Sequence, residues 1–141
     1  MSEATFEALV AAARLDIVHP AITAGICQEH SFRGEVVPAY LDGSGEIEVW
    51  GPEVYTLLVA NHLQAATLGE LLRFAGTDPV EGGWDGWTPM TAFGTAVYPD
   101  DSGLPWVGFL WRSRQGIRAL NLIVRDGIWS TQIGFLAVIK V

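Results

Sequence analysis

The feature of this sequence that most constrains its fold is the C-terminal stretch of residues 91–141, in which apolar runs alternate with turn-forming residues. The runs are rich in β-branched and aromatic residues, which favours strands. They cover residues 91–98, 106–112, 117–125 and 128–141. The segments between them contain Pro, Asp, Ser and Gly, whose backbone preferences favour tight turns. Because consecutive strands joined by short turns are antiparallel, the pattern predicts a four-stranded antiparallel meander.

The last run also indicates which side of the sheet is buried, because alternate residues of a strand point to the same face. One face carries the apolar residues Trp129, Ile133, Phe135, Ala137 and Ile139. The other face begins with polar Ser130 and Gln132 but becomes apolar beyond Gly134. A strand that is apolar on both faces must be covered on both, either by a helix or by another subunit.

The N-terminal region favours helices. Apolar residues recur at helical spacing, which predicts an amphipathic helix that is capped by Ser2 and ends near Val18. A short second helix is predicted to begin at Pro20, since proline suits the first helical position, and to end near His30.

A hairpin and a long helix follow. Residues 35–41 and 46–50 flank a loop of Asp, Gly and Ser, which predicts a short hairpin. Residues 51–76 have the periodicity of one long helix. Thr67 and Glu70 have the spacing of a capping box, so an alternative is that this helix breaks and restarts there.

The order of these elements predicts an α+β fold in which the helices pack on one face of the antiparallel sheet. The chain of 141 residues is long enough to bury a substantial core and short enough for a single domain, residues 1–141. Half of the residues are hydrophobic, which favours a sizeable interface or an enclosed cavity and leaves a homo-oligomer possible.

Charge and cysteine content limit the classes of partner and the cellular location that are expected. The chain has 16 acidic and eight basic residues, and the basic ones are scattered along the sequence. Nucleic acid and anionic membranes are bound by clustered positive charge, so neither is an expected partner. A single cysteine, the absence of a long apolar segment and the lack of a leader pattern at the N-terminus predict a cytoplasmic protein.

The irregular segment 77–90 contains the most informative local motif, in which Trp84, Asp85 and Trp87 lie among glycines. Two indoles with a carboxylate between them could stack on a flat ligand, hold a cation or anchor a partner protein. The structural alternative is that both indoles fold back and cover the sheet.

Asn61 and His62 form a second candidate group, because they fall within or beside the apolar stripe of the long helix. If that stripe lines a cavity, the pair could bind or protonate a ligand, since histidine titrates near neutral pH. Otherwise Asn61 caps a broken helix or bonds a buried backbone group.

A metal or thiol site is not predicted. His19, Cys27 and His30 match no known zinc spacing, and a lone cysteine among isoleucines is more often a core residue. Phosphate-loop, dinucleotide-binding and serine-hydrolase motifs are also absent, so no cofactor is expected.

Two functional hypotheses follow from these observations. The first is a non-catalytic binding or regulatory protein, such as an inhibitor, an immunity-type protein or an accessory subunit. It would contact another protein, or a small apolar or aromatic ligand, through Trp84, Asp85, Trp87 and the apolar end of the sheet. The alternative is a pocket enzyme of the isomerase, dehydratase or hydrolase type, with His62 or Asp85 as acid or base in a cavity between the sheet and the long helix.

Overall fold

The structure, a computed structural model, describes residues 5–28, 35–41, 48–130 and 132–139. These residues form an α+β fold with four α-helices and nine strands. The helices are α1 (Phe6–Ala12), α2 (Ala24–Gln28), α3 (Gly51–Ala60) and α4 (Leu68–Gly76). The strands are β1 (Ile17–Val18), β2 (Val36–Ala39), β3 (Glu48–Trp50), β4 (Leu63–Ala65), β5 (Met90–Val97), β6 (Trp106–Arg112), β7 (Arg118–Val124), β8 (Ile128–Ser130) and β9 (Gly134–Ile139).

Seven of these strands form one mixed sheet in the order β1-β7-β6-β5-β9-β2, with β4 also paired to β9. Strands β5, β6 and β7 are successive antiparallel neighbours, as the turn pattern predicts. Strand β9 instead lies parallel to β5, and β1 lies parallel to β7. The predicted four-stranded antiparallel meander is therefore wrong, because the sheet has seven strands and is partly parallel.

The run 128–141 does not form one strand, because a turn separates β8 from β9. The backbone amides of Gln132 and Ile133 donate to the side chain and the carbonyl of Ser130, at 3.2 Å in both cases. Beyond the turn, Gly134 lies against Met90 so closely that a Cβ would sit 2.4 Å from the Met90 sulfur. The chain therefore turns away from β7 and returns beside β5.

The predicted hairpin of residues 35–41 and 46–50 is also wrong. Strand β2 pairs with β9, and β3 pairs with β8 in a separate two-stranded sheet. The predicted turn at residues 42–45 lies outside the described residues. In the small sheet, Val49 is opposite Trp129, whose indole makes an edge-to-face contact with Phe93 at a centroid distance of 5.1 Å. Aromatic packing thus favours the placement of β8 across the large sheet.

The prediction of one long helix over 51–76 is wrong as well, because the helix breaks after ten residues. Asn61 is the C-cap of α3 and donates from its side-chain amide to the Leu57 carbonyl at 2.8 Å. His62 then adopts a left-handed φ of 61°, and the chain continues as β4. The alternative restart is confirmed, since Thr67 and Glu70 form a reciprocal capping box at the start of α4.

The first helix is shorter than predicted. Thr5 is its N-cap and accepts a hydrogen bond from the Ala8 amide, whereas Ser2 lies outside the described residues. The helix ends well before Val18, because Arg14 adopts a left-handed φ of 54° and the following residues form β1. The second predicted helix corresponds to α2, which begins at Ala24 rather than at Pro20, and its expected end near His30 lies outside the described residues.

The large sheet is covered on both faces, so the prediction that the helices pack on one face is wrong. Helices α1, α2 and α4 contribute to a first core, and α3 with β3 and β8 contributes to a second. Alternate residues of β9 belong to the two cores, with Leu136 in the first and Phe135 and Ala137 in the second. The two apolar faces of this strand are thus buried within the chain, which is typical of a central strand.

Candidate functional site

Residues 82–88, which we call the Trp loop, are anchored at their beginning to the end of α4. The Trp84 amide donates to the Phe74 carbonyl at 3.2 Å. Gly83 approaches Thr77 so closely that a Cβ would lie 1.9 Å from the Thr77 carbonyl oxygen, so only glycine fits there. The backbone of the loop is therefore fixed at Gly83 and Trp84, before the chain reaches the exposed Trp87.

The two indoles of the Trp loop have different environments. Trp84 is only 2% exposed, belongs to the first core and donates from Nε1 to the Thr88 carbonyl at 2.7 Å. Trp87 is 67% exposed. The structural alternative, in which the indoles cover the sheet, thus describes Trp84, and Trp87 remains accessible to a ligand.

Asp85 organises the Trp loop from within. Its Oδ1 accepts hydrogen bonds from the amides of Trp87 and Thr88 at 2.7 and 2.8 Å, and its Oδ2 accepts one from the Thr88 hydroxyl at 2.7 Å. Partial burial raises the pKa of Asp85, but the bonds from Thr88 and Trp87 outweigh it, so the pKa lies below its ordinary value. Asp85 is therefore an ionised acceptor near neutral pH and is poorly suited to act as a general acid.

Each indole of the Trp loop contacts one arginine. The guanidinium carbon of Arg112 lies 3.9 Å from the ring centroid of Trp87, and that of Arg118 lies 4.4 Å from the ring centroid of Trp84. Both distances are within the range of cation–π interactions. Arg112 and Arg118 are directly opposite each other across the β6–β7 hairpin, so the two pairs are neighbours.

The two arginines differ in their hydrogen bonds. Arg118 donates from Nε to the Ala13 carbonyl at 2.9 Å and from Nη2 to the Ala75 carbonyl at 3.2 Å, which ties together the ends of α1 and α4. Within the part of the chain that the structure describes, the Arg112 guanidinium has neither a hydrogen-bond acceptor nor a carboxylate partner. Arg118 is thus structural, and Arg112 is available to a ligand.

A third arginine adds to the positive charge. Burial lowers the pKa of Arg118 most, and the charges of Arg112 and Arg14 lower it further, whereas Asp16 acts in the opposite direction. Arg14 is exposed. We call Trp87, Arg112, Arg118 and Arg14 the Arg–Trp patch. Its three arginines outnumber the two carboxylates beside it, those of Asp85 and Asp16, on a protein with a formal charge of −8.

Asn61 and His62 are not near the Trp loop. Both are exposed at the end of α3, which packs in the second core, whereas Trp84 belongs to the first core on the opposite face of the sheet. The Asn61 side chain is used in capping α3. The structure therefore brings together Trp84, Asp85 and Trp87, but it places Asn61 and His62 away from them.

Two of the cavities that open on the surface of the described residues are large enough for a small ligand. One, of about 410 Å³, lies between α3 and β5 and is lined by Tyr55, Phe93 and Arg125 among others. The other, of about 490 Å³, runs along α1 and is lined by Phe6, Val10 and other residues, including the ring of His19. Neither cavity is lined by Asn61, His62 or a residue of the Trp loop.

Cys27 and the histidines do not form a reactive centre in the described part of the chain. Cys27 is buried, and burial raises the pKa of its thiol to about 11, so the thiol is protonated and unreactive near neutral pH. No three His, Cys, Asp or Glu side chains within residues 5–28, 35–41, 48–130 and 132–139 could together hold a metal ion. His30 lies outside these ranges.

Arg112 and Arg118 were not among the predicted site residues, because the basic residues are scattered along the sequence. The signal that could have found them is the predicted turn between the runs 106–112 and 117–125. A turn of this length brings the residues on its two sides together, and the observed register places Arg112 opposite Arg118. Two like charges directly opposite each other repel, so a pair at such a position indicates a candidate site rather than a stabilising contact.

Comparison with known proteins identifies no relative from which a function could be inferred. No protein-family model matches the sequence, and no match was found among curated proteins or solved structures. Among the described residues, no helix has both the length and the apolar character needed to cross a bilayer.

Proposed function

We propose that this protein is a non-catalytic binding protein whose contact surface is the Arg–Trp patch. The observation that carries the proposal is the pairing of the exposed Trp87 indole with the Arg112 guanidinium at 3.9 Å, on a Trp loop that is fixed by Asp85. Tryptophan and arginine are the residues that most often dominate binding energy at protein interfaces. A partner protein is therefore the contact that this surface favours.

The rigidity of the Trp loop supports this proposal. Three hydrogen bonds to Asp85 and the burial of Trp84 hold the backbone on which Trp87 is presented. A contact residue that is already ordered loses less conformational entropy on binding. In the free protein this indole exposes apolar surface to water, which is unfavourable. A bound partner would bury that surface.

The charge arrangement is a second support. Two arginines directly opposite each other on paired strands repel each other, and the chain has twice as many acidic as basic residues with which to neutralise them. Arg112 nevertheless has no carboxylate partner within the described residues. A charge without a carboxylate partner beside an exposed indole is typical of a binding surface rather than of a structural contact.

The enzyme hypothesis has no comparable support. It requires an acid or base in a cavity, but His62 is exposed and lines neither cavity, and the Asp85 carboxylate is occupied by hydrogen bonds of its own loop. We therefore do not propose a reaction.

The test uses immobilised protein as bait in an extract of the cells that produce it. We expect a discrete partner to be retained by the wild type and lost with Trp87→Ala. Trp50→Ala is the matched control, because Trp50 is also an exposed indole but lies in the small sheet. Equal retention by the wild type and Trp87→Ala, or equal loss with both variants, would contradict the assignment of the contact surface.

A further inference from the structure

We propose that the Arg–Trp patch receives an acidic segment of a partner protein. In this arrangement a side-chain carboxylate of the segment binds Arg112, and a neighbouring apolar or aromatic side chain packs on Trp87. The inference rests on the proposed function and specifies the chemistry of the partner.

The hydrogen-bond donors of Arg112 favour a carboxylate as the ligand group. A guanidinium carries five N–H donors in a fork that matches the two oxygens of a carboxylate. None of the Arg112 donors is used within the described residues, and the side chain is oriented by its contact with Trp87. A carboxylate therefore satisfies these donors with good geometry.

The surroundings of Asp85 disfavour a cationic ligand, although its carboxylate first suggests one. That carboxylate already accepts three hydrogen bonds from Trp87 and Thr88, which leaves about one of its four lone-pair sites for an external cation. The Trp87 ring already has a guanidinium 3.9 Å from its centroid. A second cation at this site would be repelled by Arg112, Arg118 and Arg14.

The charge of the whole chain favours an acidic protein segment over nucleic acid. An extended polyanion would run beyond the Arg–Trp patch onto a protein that carries a formal charge of −8. Strong binding of nucleic acid needs many phosphate contacts, each with a cation. A short segment with one or two carboxylates can contact the patch alone, so its attraction to Arg112 is not cancelled elsewhere.

The exposed Trp87 ring favours a segment that also carries an apolar side chain. Trp87 is 67% exposed, and burial of a large aromatic side chain is among the strongest contributions to protein binding. A carboxylate alone would leave this indole in water. We therefore expect the acidic residue to be accompanied by an apolar or aromatic residue close in sequence.

The experiment is selection from a random peptide library displayed on phage, with the full chain as the target. We expect the selected peptides to contain Asp or Glu close to an aromatic or large aliphatic residue. The affinity of a synthetic selected peptide is then measured by fluorescence anisotropy. Arg112→Gln should weaken its binding by about tenfold or more, because the bond lost is between charged groups.

Two controls make the result specific. Arg114→Gln removes the same charge from the neighbouring turn, where Arg114 is exposed, and should change the affinity by less than about threefold. Replacement of the acidic residue of the peptide by its amide should cause the same loss as Arg112→Gln. When Arg112→Gln is tested with the amide peptide, the loss of affinity should equal that of either change alone, since both remove the same contact.

Each other outcome overturns a defined part of the reasoning. Neutral or basic peptides that depend on Trp87 would refute the acidic segment and leave the proposed function intact. No enriched peptide, or peptides insensitive to both Trp87→Ala and Arg112→Gln, would refute both proposals. Binding of inorganic phosphate alone to Arg112, with displacement of the peptide, would show that the patch binds a free anion. Self-association that is lost with Arg112→Gln would identify the partner as a second copy of this chain.

Discussion

Replacement of each indole of the Trp loop by alanine should separate stability from binding. Trp84 is 2% exposed, its Nε1 is bonded to Thr88, and its ring contacts Arg118, so Trp84→Ala creates a cavity and leaves a carbonyl unpaired. Truncation of a buried tryptophan costs about 3–5 kcal/mol. Trp87→Ala removes an exposed ring and one cation–π contact, which is worth about 0.5–1 kcal/mol at an exposed site.

These costs correspond to measurable shifts in melting temperature. An entropy of unfolding of about 2.1 cal/mol/K per residue gives about 0.3 kcal/mol/K for a chain of 141 residues. One kcal/mol therefore corresponds to about 3 °C. We expect Trp84→Ala to lower the melting temperature by about 10–17 °C and Trp87→Ala by no more than about 3 °C.

Thermal and urea unfolding followed by circular dichroism would test this difference. Trp84→Phe is the control for the hydrogen bond, because it keeps most of the ring volume and should fall between the wild type and Trp84→Ala. Similar destabilisation by Trp84→Ala and Trp87→Ala would refute the assignment of one indole to the core and the other to the surface.

Three further predictions concern other parts of the chain. The buried Cys27 thiol, with its pKa raised to about 11, should not react with a thiol reagent at pH 8 until the protein is unfolded; rapid reaction of the native protein would contradict its burial. Trp129→Phe should destabilise by about 1–3 kcal/mol more than Trp106→Phe in urea titrations, because Trp129 donates to a carbonyl whereas the buried Trp106 Nε1 has no partner among the described residues. Equal costs would show that Trp106 has a partner, such as a bound water. Arg118→Gln should cost about 2–3 kcal/mol, since it loses two charged hydrogen bonds, whereas Arg112→Gln should leave the free energy of unfolding within about 1 kcal/mol of the wild type. The reverse order would contradict the division into a structural and an available arginine.

Local patterns predicted the parts of the fold that depend on neighbours in the sequence. The β5–β7 meander, the capping box of Thr67 and the burial of Cys27 follow from turns, spacing and composition. The pairings of β2 with β9, β3 with β8 and β5 with β9 join segments far apart in the chain. Such contacts are determined by which apolar faces pack together, and that information is absent from any single segment.

Where the predicted helix 51–76 and the predicted strand 128–141 were wrong, single residues indicated the break. The apolar periodicity of the surrounding sequence outweighed them. Asn61 is a typical helix terminator, yet the apolar stripe on both sides of it favoured one continuous helix. Gly134, with polar Ser130 and Gln132 before it, indicated a break, yet the apolar run favoured one strand. In both cases the residues that tolerate unusual backbone conformations were better guides than the average composition.

The candidate site was only half predictable for a related reason. The Trp loop stands out by composition, so Trp84, Asp85 and Trp87 could be selected without a structure. Whether an indole is core or surface depends on the tertiary path of the loop, which Gly83 fixes by its close contact with Thr77. The arginines could be connected to the loop only through the register of a hairpin that is distant from it in sequence.

The cross-strand pair of arginines is the feature that stability alone does not explain. Arg118 has a structural reason to be charged, because its guanidinium joins the carbonyls at the ends of two helices and covers Trp84. Given Arg118, a neutral or acidic residue at position 112 would remove the repulsion across the hairpin, but it would also remove the contact with Trp87, which is worth about 0.5–1 kcal/mol. These two effects are similar in size, so Arg112 adds little net stability to the fold. The chain nevertheless has this unpaired charge beside an indole that is itself exposed. We infer that the pair has a reason outside the folded monomer, and a partner that covers Trp87 and neutralises Arg112 would supply that reason.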